Sequence, residues 1–484
     1  MRRRLIVFAW IILAALVQVA PAQEQASKVR LAVREISLGK PEAGAILRSL
    51  VASPDSKRAA YIAEGEGKRW VVVDGVKQAE YDGVVEGTLV FSEDGKRLAY
   101  VAAHTYPSYD VNSPLARTSG DKWLVVLDGA AGAEYDWIGE FTLTFSPDGQ
   151  RFAYVAERGY KQLAVMDGVE GKEYDRIAEG SLRFSSDSKR TVYAAECWNL
   201  SLPAKSPLAG IKRVAVVDGV EGKEYDAMGW LFFTPDGRHL TYPAMREGKW
   251  FSVVDGVERR EAAEGGNFRL SPDGKRTAYV VKRDRGQAVL VDGTEGKPYE
   301  VIRSLRFTPD GKHLTYAGSR AGRWMVVVDG VEGKDYEGIG RVSFSPDGVR
   351  LAYTATREGK SLLVVDGREE KEYDWVGGVR FSPDGKRVAY AAERDDKALF
   401  VVDGVEGKEA EETGSLRFSP DGQHVAYSVQ RAGKWLAVAD GMEGLEYDAF
   451  LEGSDPAFEG SGLLHFLARR GEEILRVEME VVEE

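Results

Sequence analysis

The sequence predicts an all-β repeat protein made of four-stranded antiparallel units, and three observations carry this prediction. A turn motif recurs ten times, and the later copies stand about 37 residues apart. Short apolar stretches of strand length, separated by turns rich in Gly and Asp, fill the intervals. Both ends of the chain hold partial copies of the same unit. A regular period that contains only strands and turns indicates a solenoid or a propeller.

The copy at 381–390 shows the turn motif most clearly. Ser382 opens the turn, Pro383 presets φ, Asp384 follows, and Gly385 supplies a left-handed residue, which together predict a type I turn with a bulge between two antiparallel strands. The motif therefore encodes architecture, not reaction chemistry. Its Asp recurs at Asp55, Asp94, Asp148, Asp187, Asp236, Asp273, Asp310, Asp347, Asp384 and Asp421.

Four strands can be placed around this turn. Strand A is predicted at 378–381, strand B at 387–392 and strand C at 398–402, while strand D carries the Glu-Tyr-Asp signature found at 372–374. Four antiparallel strands joined by tight turns form a propeller blade. The prediction is thus a β-propeller of about ten blades of ~37–39 residues.

Aromatic residues recur at fixed positions of the unit. One interpretation is an aromatic ligand-binding array, but residues at one repeat position more often pack blade against blade, and we expect packing. The Tyr of strand D stands at Tyr81, Tyr135, Tyr174, Tyr225, Tyr299, Tyr336, Tyr373 and Tyr447. A Trp opens strand C at Trp70, Trp123, Trp250, Trp324 and Trp435.

The run Ser-Pro-Asp-Gly-Lys, followed by a strand that ends in Ala-Tyr, resembles the repeat of TolB-type propellers and, more loosely, of WD-repeat propellers. The resemblance covers about residues 31–484. It implies the propeller fold. The chain lacks the Trp-Asp dipeptide of WD repeats, so the resemblance is carried by the turn and not by that signature.

The two ends predict how the ring closes. Residues 31–47 align with strands C and D of the next unit, and the segments at 456–458, 464–467 and 474–479 supply strands A, B and C. Pairing of the two ends removes exposed edges. Because ten full units exceed the roughly four to eight blades usual in one ring, two tandem rings with a boundary near residues 197–210 are favoured over one large ring.

The first 22 residues are predicted to be an export signal. Arg2-Arg3-Arg4 precedes an apolar stretch, and Ala20-Pro21-Ala22 forms a small-x-small cleavage site. The alternative is an uncleaved membrane anchor. We expect cleavage, a propeller over residues 23–484, a periplasmic or extracellular location and no stable membrane insertion.

Charge and cysteine content narrow the class of partner. The net charge is −12, and removal of residues 1–22, which hold three Arg and no acidic residue, makes it more negative. An acidic protein is a poor candidate for nucleic acid. The single cysteine, Cys197, cannot form an internal disulfide.

Two insertions between strands B and C are the predicted binding loops. The segments 104–120 and 197–210 lengthen their units by about 17 and about 12 residues, and long loops on a rigid scaffold are where binding usually resides. The alternatives are tolerated surface insertions or, for the second segment, a linker. The candidate binding residues are Tyr106, Tyr109, Asp110, Trp198 and the pair that follows it, Asn199-Leu200.

No metal, cofactor or catalytic residues are predicted. His239, His313 and His424 occupy one repeat position in separate units and cannot jointly bind a metal. Asp-Gly turns such as Asp329-Gly330 and Asp366-Gly367 lack the Asp spacing of calcium loops, so solvated turns are expected.

The sequence therefore favours an exported, non-enzymatic propeller that binds a protein, peptide or envelope component through loops on one face. The rival hypothesis is a propeller enzyme or glycan-binding protein with a site at the central channel. A third is a structural element of the cell envelope.

Overall fold

The computed structural model describes residues 29–104, 122–139, 141–198, 211–262, 268–284, 286–451 and 454–483. These residues form 49 strands in eleven antiparallel sheets, with no helix among them. The eleven sheets are the blades of one ring, so the predicted β-propeller is confirmed. No helix long and apolar enough to cross a membrane occurs in this part of the chain.

Blades 1 to 3 use strands β2 to β15. Their bounds are β2 (Ala45–Ala52), β3 (Ala59–Gly65), β4 (Lys68–Val73) and β5 (Val76–Tyr81) in blade 1; β6 (Gly83–Val84), β7 (Val90–Phe91), β8 (Leu98–Ala103), β9 (Trp123–Leu127) and β10 (Ala130–Tyr135) in blade 2; and β11 (Trp137–Ile138), β12 (Thr144–Phe145), β13 (Phe152–Arg158), β14 (Lys161–Met166) and β15 (Val169–Glu170) in blade 3.

Blades 4 to 7 use strands β16 to β33. Their bounds are β16 (Arg176–Ile177), β17 (Arg183–Phe184), β18 (Thr191–Trp198), β19 (Ile211–Val217) and β20 (Val220–Tyr225) in blade 4; β21 (Ala227–Met228), β22 (Phe232–Phe233), β23 (Leu240–Arg246), β24 (Lys249–Val254) and β25 (Val257–Ala262) in blade 5; β26 (Phe268–Leu270), β27 (Thr277–Arg283), β28 (Gly286–Val291) and β29 (Thr294–Tyr299) in blade 6; and β30 (Ile302–Phe307), β31 (Leu314–Arg320), β32 (Arg323–Val328) and β33 (Val331–Tyr336) in blade 7.

Blades 8 to 11 use strands β34 to β49 together with β1. Their bounds are β34 (Gly338–Phe344), β35 (Leu351–Arg357), β36 (Lys360–Val365) and β37 (Arg368–Tyr373) in blade 8; β38 (Trp375–Phe381), β39 (Val388–Arg394), β40 (Lys397–Val402) and β41 (Val405–Glu406) in blade 9; β42 (Glu412–Phe418), β43 (Val425–Arg431), β44 (Lys434–Ala439) and β45 (Met442–Tyr447) in blade 10; and β46 (Ala449–Phe450), β47 (Ala457–Glu459), β48 (Leu463–Arg470), β49 (Glu473–Glu483) and β1 (Val29–Gly39) in blade 11.

Blade 11 is built from both ends of the chain. Strand β1 pairs antiparallel with β49, from Val29 opposite Glu483 to Gly39 opposite Ile474. The prediction that the C-terminal region supplies three strands and that the ends pair is confirmed. The prediction of two N-terminal strands within residues 31–47 is wrong, because β1 is a single fourth strand and β2, from Ala45, already begins blade 1.

The preference for two rings is also wrong. The apolar clusters lie between successive blades, and one of them joins Leu451, Leu467 and Ile474 of blade 11 to Leu50 and Tyr61 of blade 1, which completes the ring. The segment 197–210, named as the boundary, begins inside β18 and leads to β19, and these two strands pair within a single blade. A boundary between rings cannot fall inside one sheet.

The recurrent turn has the predicted type I geometry with a bulge. The Gly385 amide donates to the Ser382 carbonyl at 2.8 Å, and Gly385 has a φ of 74°. The Ser382 hydroxyl donates to Asp384 at 2.6 Å and accepts from the Arg387 amide at 2.9 Å. The same Ser or Thr to Asp bond, of 2.5–2.6 Å, occurs in all ten copies.

In seven of the ten copies, an arginine after the turn fastens its blade to the next one. Arg387 donates to Asp403 at 2.8 Å and to the carbonyl of Gln423 in the next blade at 2.6 Å, and it lies 5.4 Å from the centre of the Phe418 ring. The second oxygen of Asp403 accepts from the Val388 amide at 2.9 Å. The Asp of the Asp-Gly turn is therefore a structural clamp and more than a solvated turn residue.

The Tyr of the fourth strand packs between blades, as predicted. Tyr336 is 1% exposed and meets Tyr353 of the next blade edge to face, with ring centres 6.2 Å apart. Its hydroxyl donates to Glu369 at 2.9 Å, and Glu369 also accepts from Arg357 at 2.9 Å and from Lys334 at 2.6 Å. Tyr, Glu and Arg thus form an interblade triad, which recurs around Glu332 and Glu406.

Stability is expected to fall in acid because of these triads. Hydrogen bonds from Lys334, then Tyr336 and Arg357, lower the pKa of Glu369 to about 2, well below the usual value of about 4.3. The stabilisation is therefore complete above the unfolded-state pKa and is lost as the pH falls towards 2. Urea unfolding measures this effect as the decrease in the free energy of unfolding between pH 6 and pH 2.5. We expect the decrease to be about 1 kcal/mol smaller for Glu369→Gln than for the native protein.

Glu358→Gln, in an exposed turn of the same blade, is the matched control and should keep the pH profile of the native protein. Equal profiles for Glu369→Gln and the native protein would contradict a stabilising role for the triad.

Candidate binding face

One face of the ring carries both insertions. The turn between the second and third strands of a blade contacts the connection from the preceding blade: the Gly159 amide donates to Asp136 at 2.8 Å, and the Trp198 amide donates to Asp175 at 2.7 Å. Both kinds of connection therefore lie on the same face. We call it the insertion face.

Both insertions start and end on paired strands. In blade 2 the His104 amide donates to the Lys122 carbonyl at 3.1 Å, and the His104 ring stacks on Tyr81 with 5.8 Å between centres. In blade 4 Trp198 pairs with Ile211. The bases of the loops are thus held by the scaffold.

The structure describes only one of the predicted binding residues, Trp198. Trp198 ends β18 with 44% of its surface exposed, on the insertion face as expected. The other candidates lie outside the described residues; they are Tyr106, Tyr109, Asp110, Asn199 and Leu200.

Sequence reasoning missed Tyr160, which stands on blade 3 between the two insertions. It occupies the turn between β13 and β14 with φ of 67°, and it is 90% exposed. The sequence feature that could have identified it is an aromatic residue in this turn, since the corresponding turn of blade 8, Arg357-Glu358-Gly359-Lys360, contains none. An exposed aromatic ring in a strained turn of a rigid scaffold is typical of a contact residue.

A cavity of about 620 Å³ lies between the inner strands of blades 3 and 4. Trp137, Phe141 and Leu182 give it an apolar lining, and Phe141 is 78% exposed. Its charged lining residues are Arg176, Arg183 and Glu179. In blades 2 to 4 the segment from the strand-D Tyr of the preceding blade to the turn Ser is two residues longer than in blade 9. The inner strand is divided into two short pieces in these three blades and also in blade 5, where the segment has the shorter length.

Asp136 couples the first insertion to the turn that carries Tyr160. One of its oxygens accepts from Lys122 at 2.7 Å and the other accepts from the Gly159 amide. The Lys122 hydrogen bond, followed by the Gly159 amide, lowers the pKa of Asp136. The base of the first insertion and the turn of blade 3 are therefore joined by a carboxylate that stays charged at neutral pH.

The three histidines at the recurrent turn position have structural roles. His239, His313 and His424 replace the fastening arginine in three blades and pair with Asp255, Asp329 and Asp440 at 2.6–2.7 Å. The described residues hold no group of three or more His, Cys, Asp or Glu suited to a metal ion. Cys197 is a half-buried free thiol whose pKa is raised, mainly by burial.

These features define an eleven-bladed β-propeller with an aromatic-rich patch on one face. Known propeller structures resemble it in architecture. TolB from Acinetobacter baumannii matches at 18% identity over 45% of this chain and 62% of its own, with a TM-score of 0.26. A eukaryotic initiation factor matches at 14% identity over 67% and 93%, with a TM-score of 0.42.

The propeller domain of the Trilobed protease from Pyrococcus furiosus matches at 15% identity over 65% of this chain and 92% of its own, with a TM-score of 0.29. The eleven antiparallel blades of this chain confirm the predicted resemblance to TolB-type and WD-repeat propellers at the level of the fold. The match spans less than two thirds of TolB. No protein-family model and no curated protein matches the chain.

Proposed function

We propose that the protein is a non-enzymatic binding scaffold that holds a protein partner against blades 2 to 4 of the insertion face. The observation that carries the proposal is the coincidence of five features on three consecutive blades: two insertions, the exposed rings of Tyr160 and Trp198, and the cavity that reaches Phe141. Aromatic side chains around a concave apolar site are the usual anchors of protein interfaces.

The mechanism we propose is rigid presentation. The backbone of the turns around the patch is fixed by carboxylates such as Asp136 and Asp175, so this backbone loses little freedom when a partner binds. The cavity accepts a protruding apolar side chain, and the insertions extend the contact area. We place this interaction outside the cytoplasm, because residues 1–22 have the features of an export signal.

The test is comparative capture from the envelope fraction of the native host. The bait is the chain from Gln23, with one variant carrying Tyr160→Ala and Trp198→Ala and another carrying the turn Arg357-Glu358-Gly359-Lys360 in place of both insertions. We expect one partner to be captured at least tenfold less by both variants, since loss of two hot-spot residues costs about 2 kcal/mol or more.

Val349→Ala is the matched control, because Val349 is 76% exposed in a turn on the opposite face. It should capture as much partner as the native chain. Unchanged capture by folded Tyr160→Ala/Trp198→Ala would show that the patch is not the contact surface.

A further inference from the structure

The first strand of each blade borders the central channel. First strands of neighbouring blades contact each other directly, as β34 contacts β38 and β38 contacts β42. A side-chain bond joins two of them, since Arg306 donates to the Val342 carbonyl of the next blade at 3.1 Å.

Arginine recurs at one position of these inner strands, next to the residue that ends the strand. The strands β26, β30, β34 and β38 together hold five Arg and no acidic residue, although the whole chain has 77 acidic and 65 basic residues. The recurrent arginines are Arg183, Arg269, Arg306, Arg380 and Arg417.

The fold does not require arginine at this position. Val90 in blade 2 and Thr144 in blade 3 hold the same place in the ladder, opposite Ala99 and Ala153, as Arg380 does opposite Ala389. Strand pairing is therefore compatible with uncharged residues. The arginines need another explanation.

Three arginines of neighbouring inner strands, Arg269, Arg306 and Arg341, are close enough to repel one another. Burial and, to a smaller extent, the Arg306 guanidinium lower the pKa of Arg269. Burial and the Arg341 guanidinium lower the pKa of Arg306 in the same way. Arg417 has a carboxylate nearby, Asp455, at 3.8 Å. Like charges kept together at a cost to stability are typical of a site that binds the opposite charge.

A cavity of about 660 Å³ opens between blades 9 and 10 beside these arginines. Its lining includes Trp375, Arg380, Arg417 and Ser415. Trp375 is 46% exposed, and the Ser415 hydroxyl is buried without a hydrogen-bond partner. The volume is in the range of small-molecule sites. The lining combines an aromatic face, two guanidinium groups, a free hydroxyl and one carboxylate, Asp455, which lies beside Arg417.

We propose that this cavity and the adjoining arginines bind a small ligand that carries several oxyanion groups, as phosphates, sulfates or carboxylates. The planar guanidinium fork bonds two oxygens of such a group at once. Arg380 and Arg417 hold one group in the cavity, and Arg306 and Arg341 extend the attraction along the channel wall. This site is separate from the insertion face and does not depend on it.

Titration calorimetry in 50 mM salt tests the proposal with three probes: inositol hexakisphosphate, sucrose octasulfate and benzenehexacarboxylate. Uncharged inositol is the negative control. We expect at least one probe to bind, and the strongest of the three identifies the preferred oxyanion. Arg380→Gln/Arg417→Gln should weaken that binding at least tenfold.

Arg238→Gln/Arg368→Gln removes the same charge from two exposed positions outside the channel and should change the affinity by less than twofold. The probe should also raise the melting temperature of the native protein but not of Arg380→Gln/Arg417→Gln. Absence of binding by all three probes would overturn the proposal, as would equal losses in both double variants. The Tyr160→Ala/Trp198→Ala variant should keep probe binding, so this proposal and the proposed function can fail independently.

Discussion

A chain that starts at Lys40, and so lacks β1, is expected to lose at least about 5 kcal/mol of unfolding free energy and to self-associate. Strand β1 pairs with β49 along its whole length. Its Glu35 accepts from Tyr447 at 2.7 Å and from Arg470 at 2.7 Å, which completes the interblade triad of blade 11. Without β1 the unpaired edge of β49 is a template for another chain.

Chemical unfolding and light scattering measure these effects. A chain that starts at Lys28, which keeps β1, is the control and should match the mature protein. Adding a peptide of residues 28–39 should restore the monomer by strand addition. A monomeric truncated chain of unchanged stability would show that the ring does not depend on this pairing.

Tyr225→Ala should lower the unfolding free energy by about 3–5 kcal/mol, whereas Tyr225→Phe should lower it by about 1 kcal/mol. The Tyr225 side chain is fully buried. Its ring meets Tyr242 of the next blade edge to face at 6.2 Å, and its hydroxyl donates to Glu258 at 3.2 Å. The alanine variant leaves a cavity between two blades, while the phenylalanine variant loses only the hydrogen bond.

Urea unfolding monitored by circular dichroism checks both variants. The control is Tyr160→Ala, an exposed position where the change should stay within about 0.5 kcal/mol. Similar stabilities for Tyr225→Ala and Tyr160→Ala would favour the alternative interpretation, in which the recurrent tyrosines form a binding array.

The blade and its turns could be predicted from the sequence because they depend on local chemistry. Ser382 to Gly385 specify their turn through bonds within six residues, and alternation of apolar residues specifies the strands. The number of blades in the ring could not be predicted in this way. It depends on small angles between neighbouring blades, which no single unit encodes.

The candidate site was predicted only in part. The insertion at Trp198 was visible as a change of period, whereas the turn that holds Tyr160 fits the normal period and differs from the turn at 357–360 at only two positions. The channel arginines could not be recognised from the sequence either, because they also occupy a regular position of the repeat. Arg380 precedes a strand-ending Phe in several units, and only the ring brings Arg380, Arg417 and their equivalents around one axis.

The composite blade also sets the order of events during synthesis. Glu35 and Arg470, which pair in blade 11, are 435 positions apart in the chain, so β1 is made first and finds its partner last. Contacts between such distant segments form slowly. The ring is therefore expected to close last, when β1 meets β49, and a chain that ends before β49 is expected to keep an open ring with unpaired blade edges.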